Sequence, residues 1–281
     1  MARAAEEAGF DSIRVGDHLL YRGTGGGRER GPLEAWTLLA ALAAVTSRIR
    51  LGPLVACTAF HPPGVIAKMA ATVDHISGGR FILGLGAGWN EADFTPFGLR
   101  YASSVSRFAE SLEIIRRALC GERVTVSGRF WSVDGLILVP PPEHRIPLMV
   151  GGSGDRMLAI GLPYAEWWNS LFDCYDNTAE GYARLHARIS RAAERAGRDP
   201  GEIARSASVR VDPGPEQQPP ANGIRPQTLA GLPGHLRALA QAGADEAVIV
   251  MPSTTQQTIR AAGSALVALG EPAQNEPRKL K

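Results

Sequence analysis

The sequence predicts an α/β fold built around a parallel sheet, and three observations lead to this prediction. Short apolar segments alternate with longer amphipathic segments along most of the chain, as in repeated strand–helix units. The short segments are mostly apolar throughout, which is typical of strands that are buried on both faces. The chain has 281 residues, of which 44% are hydrophobic, and this is enough for one large core. A closed barrel and an open, doubly wound sheet both fit this pattern.

Seven short segments rich in β-branched or aromatic residues are the predicted strands. They are residues 12–15, 49–55, 81–85, 147–150, 166–169, 207–211 and 247–251. The predicted helices are residues 33–46, 63–76, 107–119, 156–162, 178–196, 227–242 and 255–269. Strand followed by helix, repeated along the chain, predicts right-handed crossovers and parallel pairing.

Three parts of the chain depart from this alternation. Residues 1–8 already have a helical pattern, so the sheet is expected to lack a strand before residue 12 and to have an unpaired edge there. Residues 123–139 are polar and β-branched, and they predict a hairpin excursion. Residues 212–226 are rich in Pro, Gly and Gln and predict a flexible loop. Residues 1–270 are predicted to form a single domain, with 271–281 as a loose tail.

The composition excludes several classes of function. The chain has 30 basic and 28 acidic residues, and the basic residues form no stripe of the kind that binds nucleic acid. Its three cysteines include no CxxC pair, so we expect neither disulfides nor a metal site and favour the cytoplasm. No apolar segment is long enough to cross a membrane. The motifs GxSxG, Walker A and HExxH are absent, which argues against the corresponding hydrolases, kinases and metalloenzymes.

Polar and glycine residues follow the predicted strands, where the active sites of parallel α/β folds gather. Asp17 and His18 follow the first strand; they can serve acid–base chemistry or simply stabilise a loop. The segment 151–154 (GGSG) can hold a phosphate on its backbone amides near a helix N-terminus, or it can be a plain turn. The glycines of residues 84–88 do not match the dinucleotide-binding fingerprint.

Aromatic residues near these strand ends can form the wall of a pocket for a flat ring. The residues predicted to line a substrate pocket are Phe60, His61 and Trp89. Trp168 is a further candidate for this wall, whereas Trp167 is predicted to lie in the core.

Several segments together resemble the luciferase-like monooxygenase family, and within it the branch that uses the deazaflavin coenzyme F420. They are residues 5–18 (AEEAGFDSIRVGDH), 48–52 (RIRLG), 79–91 (GRFILGLGAGWNE), 140–142 (PPP), 146–154 (IPLMVGGSG) and 197–200 (GRDP). The resemblance implies a TIM-type (β/α)₈ barrel, here without its first N-terminal strand, and a cofactor at the carboxyl ends of the strands.

The resemblance also implies roles for individual residues. Asp17 and His18 would lie near the reacting ring as catalytic residues. A bulge that supports the ring, often with a non-proline cis peptide, would comprise Ala56, Cys57 and Thr58. The cofactor's side chain would run along Gly86, Ala87, Gly88 and Asn90. Its phosphate would be held by Gly151, Gly152 and Ser153.

The function expected from this resemblance is hydride transfer between reduced F420 and a small organic substrate. Trp89 stands where the sugar-phosphate dehydrogenases of the family have an acidic residue, so that activity is not expected. One alternative is an FMN-dependent monooxygenase that uses O₂. Another is a truncated barrel that binds a cofactor without catalysis. A homodimer is the assembly that the resemblance suggests.

Overall fold

Ten strands are present in the computed structural model, which describes residues 1–22, 29–214, 223–267 and 269. They are β1 (Ser12–Val15), β2 (Arg50–Pro53), β3 (Ala56–Cys57), β4 (Leu83–Gly86), β5 (Val124–Ser127), β6 (Ser132–Leu136), β7 (Leu148–Gly151), β8 (Trp167–Ser170), β9 (Ala204–Arg210) and β10 (Glu246–Val250). All pairs are parallel except the hairpin of β5 and β6. The strand order is β1-β2 and β3-β4-β7-β8-β9-β10, and pairing of Leu51 with Phe81 joins the two groups.

Helices connect the parallel strands and cover the outside of the sheet. They are α1 (Ala2–Glu7), α2 (Ala35–Val45), α3 (Pro63–Ser77), α4 (Ser104–Leu119), α5 (Asp155–Gly161), α6 (Ala179–Arg195), α7 (Leu232–Gln241) and α8 (Gln256–Val267). Short 3₁₀ helices occur at Glu91–Asp93, Thr95–Phe97, Phe172–Tyr175 and Pro200–Glu202. The seven predicted helices and six of the seven predicted strands are therefore confirmed, with ends that shift by a few residues. None of the described helices is both long and apolar enough to cross a bilayer.

The second predicted strand, residues 49–55, is wrong at its carboxyl end, because β2 ends at Pro53 and a separate strand, β3, follows at Ala56–Cys57. Leu54 donates its N–H to the Val15 carbonyl on β1, whereas Ala56 and Cys57 pair with β4. The segment thus passes from one neighbouring strand to another. The peptide bond between Leu54 and Val55 is cis.

The two tryptophans of β8 exchange their expected positions. Trp168 is completely buried in the core between the sheet and the helices, whereas the half-buried Trp167 lies beneath the guanidinium of Arg50. The prediction that Trp167 lies in the core is wrong because neighbouring strand residues point to opposite faces. The packed face is that of Trp168.

The sheet curls until its outermost strands, β1 and β10, approach each other. Arg14 on β1 forms an ion pair with Glu246 on β10 at 3.1 Å, and the Ser12 hydroxyl donates to the same carboxylate. No backbone pairing joins these two strands in the described part of the chain, so the expected unpaired edge is present. A groove of about 1050 Å³ lies along it, lined by residues of both edge strands and by α1, α2, α7 and α8. The molecule has the barrel-type fold that the sequence predicts.

The predicted excursion at residues 123–139 is confirmed as the hairpin of β5 and β6. Glu110 is one of the side chains that hold it to the body of the protein. Glu110 on α4 accepts hydrogen bonds from the backbone N–H groups of Arg129, Phe130 and Trp131. Parts of two other predictions, residues 215–222 of the loop and the tail 271–281, lie outside the described residues.

Replacing Glu110 with glutamine should loosen this hairpin. A glutamine amide places an NH₂ group where a carboxylate oxygen now accepts N–H groups, and losing such bonds costs about 1 kcal/mol. Hydrogen exchange of amides in β5 and β6 should accelerate in Glu110→Gln. Glu113→Gln is the matched control, because Glu113 lies on the same helix and forms its ion pairs with Arg116 and Arg117 instead of with the hairpin. Equal exchange in the two variants would contradict the anchoring role.

Candidate active site

A hydrogen-bonded pair of His18 and Asp93 lies at the carboxyl end of β1. Nδ1 of His18 is 2.7 Å from Oδ2 of Asp93. The carboxylate is buried, and its other oxygen accepts the backbone N–H groups of Leu19 and Leu20. Burial raises the pKa of Asp93. The hydrogen bonds from Leu19, Leu20 and His18 lower it by a larger amount, so the net pKa is below its usual value. The pair is therefore an imidazole held by an ionised carboxylate.

Asp17 lies under the same end of the sheet and connects β1 with β3. Its Oδ2 accepts the N–H of Cys57 at 2.8 Å, and the side chain is buried. Burial raises the pKa of Asp17 to about 7, aided by the negative charges of Glu34 and Asp93 and opposed by the Cys57 N–H. Burial likewise raises the pKa of the Cys57 thiol to about 12. Near neutral pH the thiol carries no charge, and Asp17 can exchange a proton.

Ala56, Cys57 and Thr58 are buried and form the short segment that pairs with β4. The N–H and hydroxyl groups of Thr58 both donate to the Gly86 carbonyl. The Cys57 thiol lies 3.8 Å from the Ala87 carbonyl. This segment thus joins the strand end that carries Asp17 to the strand end that carries Gly86–Gly88.

The predicted cofactor-binding glycines divide into two groups. A Cβ on Gly86 or Gly151 would lie 2.6 or 3.0 Å from the Val55 side chain, and one on Gly88 would lie 2.5 Å from the Cys57 sulfur. Packing therefore opposes a Cβ at Gly86 and Gly88 unless a neighbour shifts, and it leaves little room for one at Gly151. Gly152 instead has φ +112, and a Cβ there would make only ordinary contacts. Gly152 is exposed, and its positive φ is the feature that favours glycine there.

The turn after β7 is the exposed part of the predicted phosphate site. Gly152 and Gly154 are exposed, Ser153 is half-buried, and a Cβ on Gly154 would meet no atom within 4 Å. The indole of Trp168 donates to the Gly152 carbonyl at 3.0 Å and so positions the turn. Arg156 is exposed nearby in the chain and donates to the Ser106 hydroxyl, which adds a positive charge at this edge.

Trp89 is the most exposed of the predicted pocket residues, at 66%. Its ring meets the His18 ring edge-on, with centroids 5.5 Å apart, and Tyr21 packs on the same imidazole at 4.7 Å. His61 is half-buried, and burial lowers its pKa although Glu34 opposes this. Phe60 packs in a buried cluster with Cys57, Ala59 and Phe94. The open aromatic surface beside His18 is therefore that of Trp89, and a pocket role for Phe60 stays a prediction.

The predicted residues at the ends of β1, β3, β4 and β7 share one end of the parallel sheet, which we call the mouth. Val55 contacts the positions of both Gly86 and Gly151, and Asp17 contacts Cys57. Asn90 belongs to this group, since its amide donates to Asp93 and to the Leu20 carbonyl. The described residues include no group of three or more His, Cys, Asp or Glu side chains placed to hold a metal ion.

Three residues at the mouth, Asp93, Tyr21 and Arg156, are not indicated by the sequence pattern. Asp93 is 75 positions from His18 in the chain, and it lies three residues after Asn90 in a 3₁₀ helix that the pattern does not predict. The signal available is a second acidic residue following the GWNE segment. Arg156 comes two residues after Gly154, so the sequence alone could have indicated a positive charge beside the glycine turn.

Comparison with known proteins gives three results. The profile of the family described as luciferase-like monooxygenase matches residues 1–274. The pyrimidine monooxygenase RutA of Agrobacterium fabrum is 32% identical over 69% of this chain and 54% of its own length, and that of Escherichia coli strain SMS-3-5 / SECEC is 34% identical over 60% and 47%. The chain spans about half the length of these curated relatives.

Solved structures support the fold. An F420-dependent secondary alcohol dehydrogenase in complex with an F420-acetone adduct has a TM-score of 0.78 at 17% identity, covering 95% of this chain and 93% of its own. EDTA monooxygenase from Chelativorans sp. BNC1 also has a TM-score of 0.78 at 17% identity, covering 96% and 85%. At these identities the likeness concerns the fold alone.

Proposed function

The chain belongs to the luciferase-like monooxygenase family, and from this premise we propose that it transfers hydride between the deazaflavin coenzyme F420 and a small organic substrate. One observation carries the proposal. An imidazole held by an ionised carboxylate, His18 with Asp93, lies at the same mouth as the exposed glycine turn around Gly152. Hydride transfer to or from a carbon that bears oxygen needs a proton to move at that oxygen, and a positioned imidazole can move it.

The surfaces at the mouth fit a flat ring with an anionic side chain. The segment Ala56–Cys57 and its neighbour Thr58 present an uncharged wall, because the thiol is protonated and Asp17 is neutral below about pH 7. Gly152 and Gly154 leave space where a phosphate can approach the backbone. Arg156 supplies a positive charge beside it. Gly88 and Asn90 would flank the cofactor between these two regions.

The residues of this chain would perform three tasks. When bound, the cofactor supplies a ring carbon that gives or takes a hydride. His18 would donate or accept the proton at the substrate oxygen. Trp89 would cover the substrate and exclude water, since its exposed ring adjoins His18. Asp17 would hold the Cys57 backbone, and with it the wall below the ring.

Cofactor binding tests this proposal directly. Titration of the purified protein with oxidised F420, followed by its fluorescence, should show saturable binding. Arg156→Gln should weaken that binding by about tenfold, because losing a charge-assisted contact to phosphate costs about 1.5 kcal/mol. Arg117→Gln is the control, since Arg117 forms surface ion pairs with Glu113 on α4 and with Glu122 just after this helix. Absence of binding to F420 and to FMN alike would remove the proposal and leave a non-catalytic barrel.

A second candidate function is an FMN-dependent monooxygenase. It is favoured by the 32–34% identity to proteins named pyrimidine monooxygenase, and the exposed Trp89 ring suits a planar substrate. Deazaflavin reacts poorly with O₂ because carbon replaces a ring nitrogen, so oxygen consumption separates the two candidates. Consumption of O₂ with reduced FMN, together with weak F420 binding, would favour this second function.

A further inference from the structure

Asp93 makes four hydrogen bonds, and together they fix how it can contact His18. Its Oδ1 accepts the backbone N–H groups of Leu19 and Leu20 at 2.8 and 2.7 Å. Its Oδ2 contacts Nδ1 of His18 at 2.7 Å and the amide nitrogen of Asn90 at 3.0 Å. The carboxylate is 2% exposed, so each of these contacts forms away from bulk water. Asp93 acts only as an acceptor here.

We propose that Asp93 is a positioning residue that keeps the His18 proton on Nδ1 and leaves Nε2 as the acceptor. An ionised carboxylate can only accept, so the neutral ring must present its N–H to Oδ2. In a neutral imidazole the other nitrogen is then unprotonated. The use of Nε2 in the reaction rests on the proposed function. The tautomer itself does not, because it follows from hydrogen bonds within this chain.

The substitution Asp93→Asn should reverse the tautomer. The two backbone N–H groups require an acceptor at the Oδ1 position, so the asparagine oxygen must occupy it. The NH₂ group then takes the place of Oδ2 and points at Nδ1 of His18. A donor at that position requires Nδ1 to accept, which moves the ring proton to Nε2. The change keeps the size of the side chain. It reverses the hydrogen bond to Nδ1 of His18 and removes the one that Oδ2 now accepts from the Asn90 amide.

Nitrogen-15 NMR of the histidine side chains measures this directly, without cofactor or substrate. In the unchanged protein, the neutral His18 ring should show a protonated Nδ1 and an unprotonated Nε2. In Asp93→Asn the ratio of the two tautomers should shift by more than about tenfold toward protonated Nε2, because one hydrogen bond at the ring decides it. A protonated Nε2 in the unchanged protein would overturn the proposal even if the variant fails to fold.

The rate at which His18 is chemically modified gives a second readout. A positioning role and a merely structural role of Asp93 predict opposite changes in this rate. Diethyl pyrocarbonate acylates an unprotonated imidazole nitrogen. If Asp93 only stabilised the loop, its replacement would expose His18 and speed modification, whereas proton transfer to Nε2 should slow it. Asp74→Asn is the matched control, because buried Asp74 contacts Nδ1 of His144 at 3.2 Å. It should leave the His18 tautomer unchanged. Failure to bind F420 would concern the proposed function and would leave this result untouched.

Discussion

Replacing Gly52 with alanine should prevent stable folding, or cost at least about 3 kcal/mol of unfolding free energy. Gly52 lies in β2, and a Cβ there would be 1.9 Å from the Ile82 carbonyl oxygen and 3.3 Å from Nη1 of Arg14. The oxygen belongs to backbone that is tied to β2, since Ile82 donates its own N–H to the Leu51 carbonyl. It cannot retreat without separating the segments that join the two parts of the sheet.

Two other glycines make this prediction quantitative. Gly154 has φ −69, and a Cβ there would have no atom within 4 Å, so Gly154→Ala should change stability by no more than about 0.5 kcal/mol. Gly64→Ala should be intermediate, because its Cβ would meet only the flexible Leu136 side chain at 3.2 Å. Urea unfolding followed by circular dichroism would rank the three variants. Equal unfolding midpoints for Gly52→Ala and Gly154→Ala would contradict the prediction, because the backbone at β2 would then have moved to make room for the methyl group.

The glycines at the mouth show which parts of the site the sequence could predict. The pattern of glycines after apolar strands correctly indicated where the polar turns gather. It could not distinguish Gly151, which is crowded by Val55, from Gly152, which is exposed. Val55 and Gly151 are almost a hundred residues apart in the chain, and only the folded sheet brings them together. Their assignment to one phosphate site therefore stays a prediction for both.

The fold was more predictable than the site because its signal is local. An unbroken apolar strand such as β7 and an amphipathic helix such as α6, which Thr178 caps at its first turn, can be recognised from adjacent residues. The break between β2 and β3 at Leu54–Val55 depends on which neighbouring strand each peptide group bonds to. The contact of His18 with Asp93 likewise depends on tertiary structure. Residues that act at long sequence separation carry no local pattern.

A second large effect should come from Asp17, whose carboxyl is buried beneath the mouth. Burial is the main cause that raises its pKa from 3.8 to about 7 in the folded chain. Between these two pH values the folded protein holds a proton that the unfolded chain has released. Because the folded state binds more protons there, unfolding free energy falls as pH rises from about 4 to about 7. The loss from this one group is about 2–4 kcal/mol at pH 8.

Asp17→Asn should remove that loss and so make the protein more stable than the unchanged chain at pH 8. An asparagine oxygen can still accept the Cys57 N–H that Asp17 now accepts at 2.8 Å, but the amide has no proton to lose. The advantage of the variant should vanish near pH 4, where the unchanged carboxyl is neutral in the folded state. Asp134→Asn, at an exposed position of β6, controls for the general effect of removing one negative charge.

Urea unfolding of the three proteins at pH 4, 6 and 8 would measure this difference. Comparing each variant with the unchanged chain at one pH cancels the other groups that titrate in this range, including Asp74, whose pKa burial also raises. If Asp17→Asn were less stable than the unchanged protein at pH 8, the folded protein would have to stabilise the ionised form of the Asp17 carboxylate. The uncharged wall proposed for the ring of the cofactor would then be wrong, because a negative charge would lie directly behind Cys57.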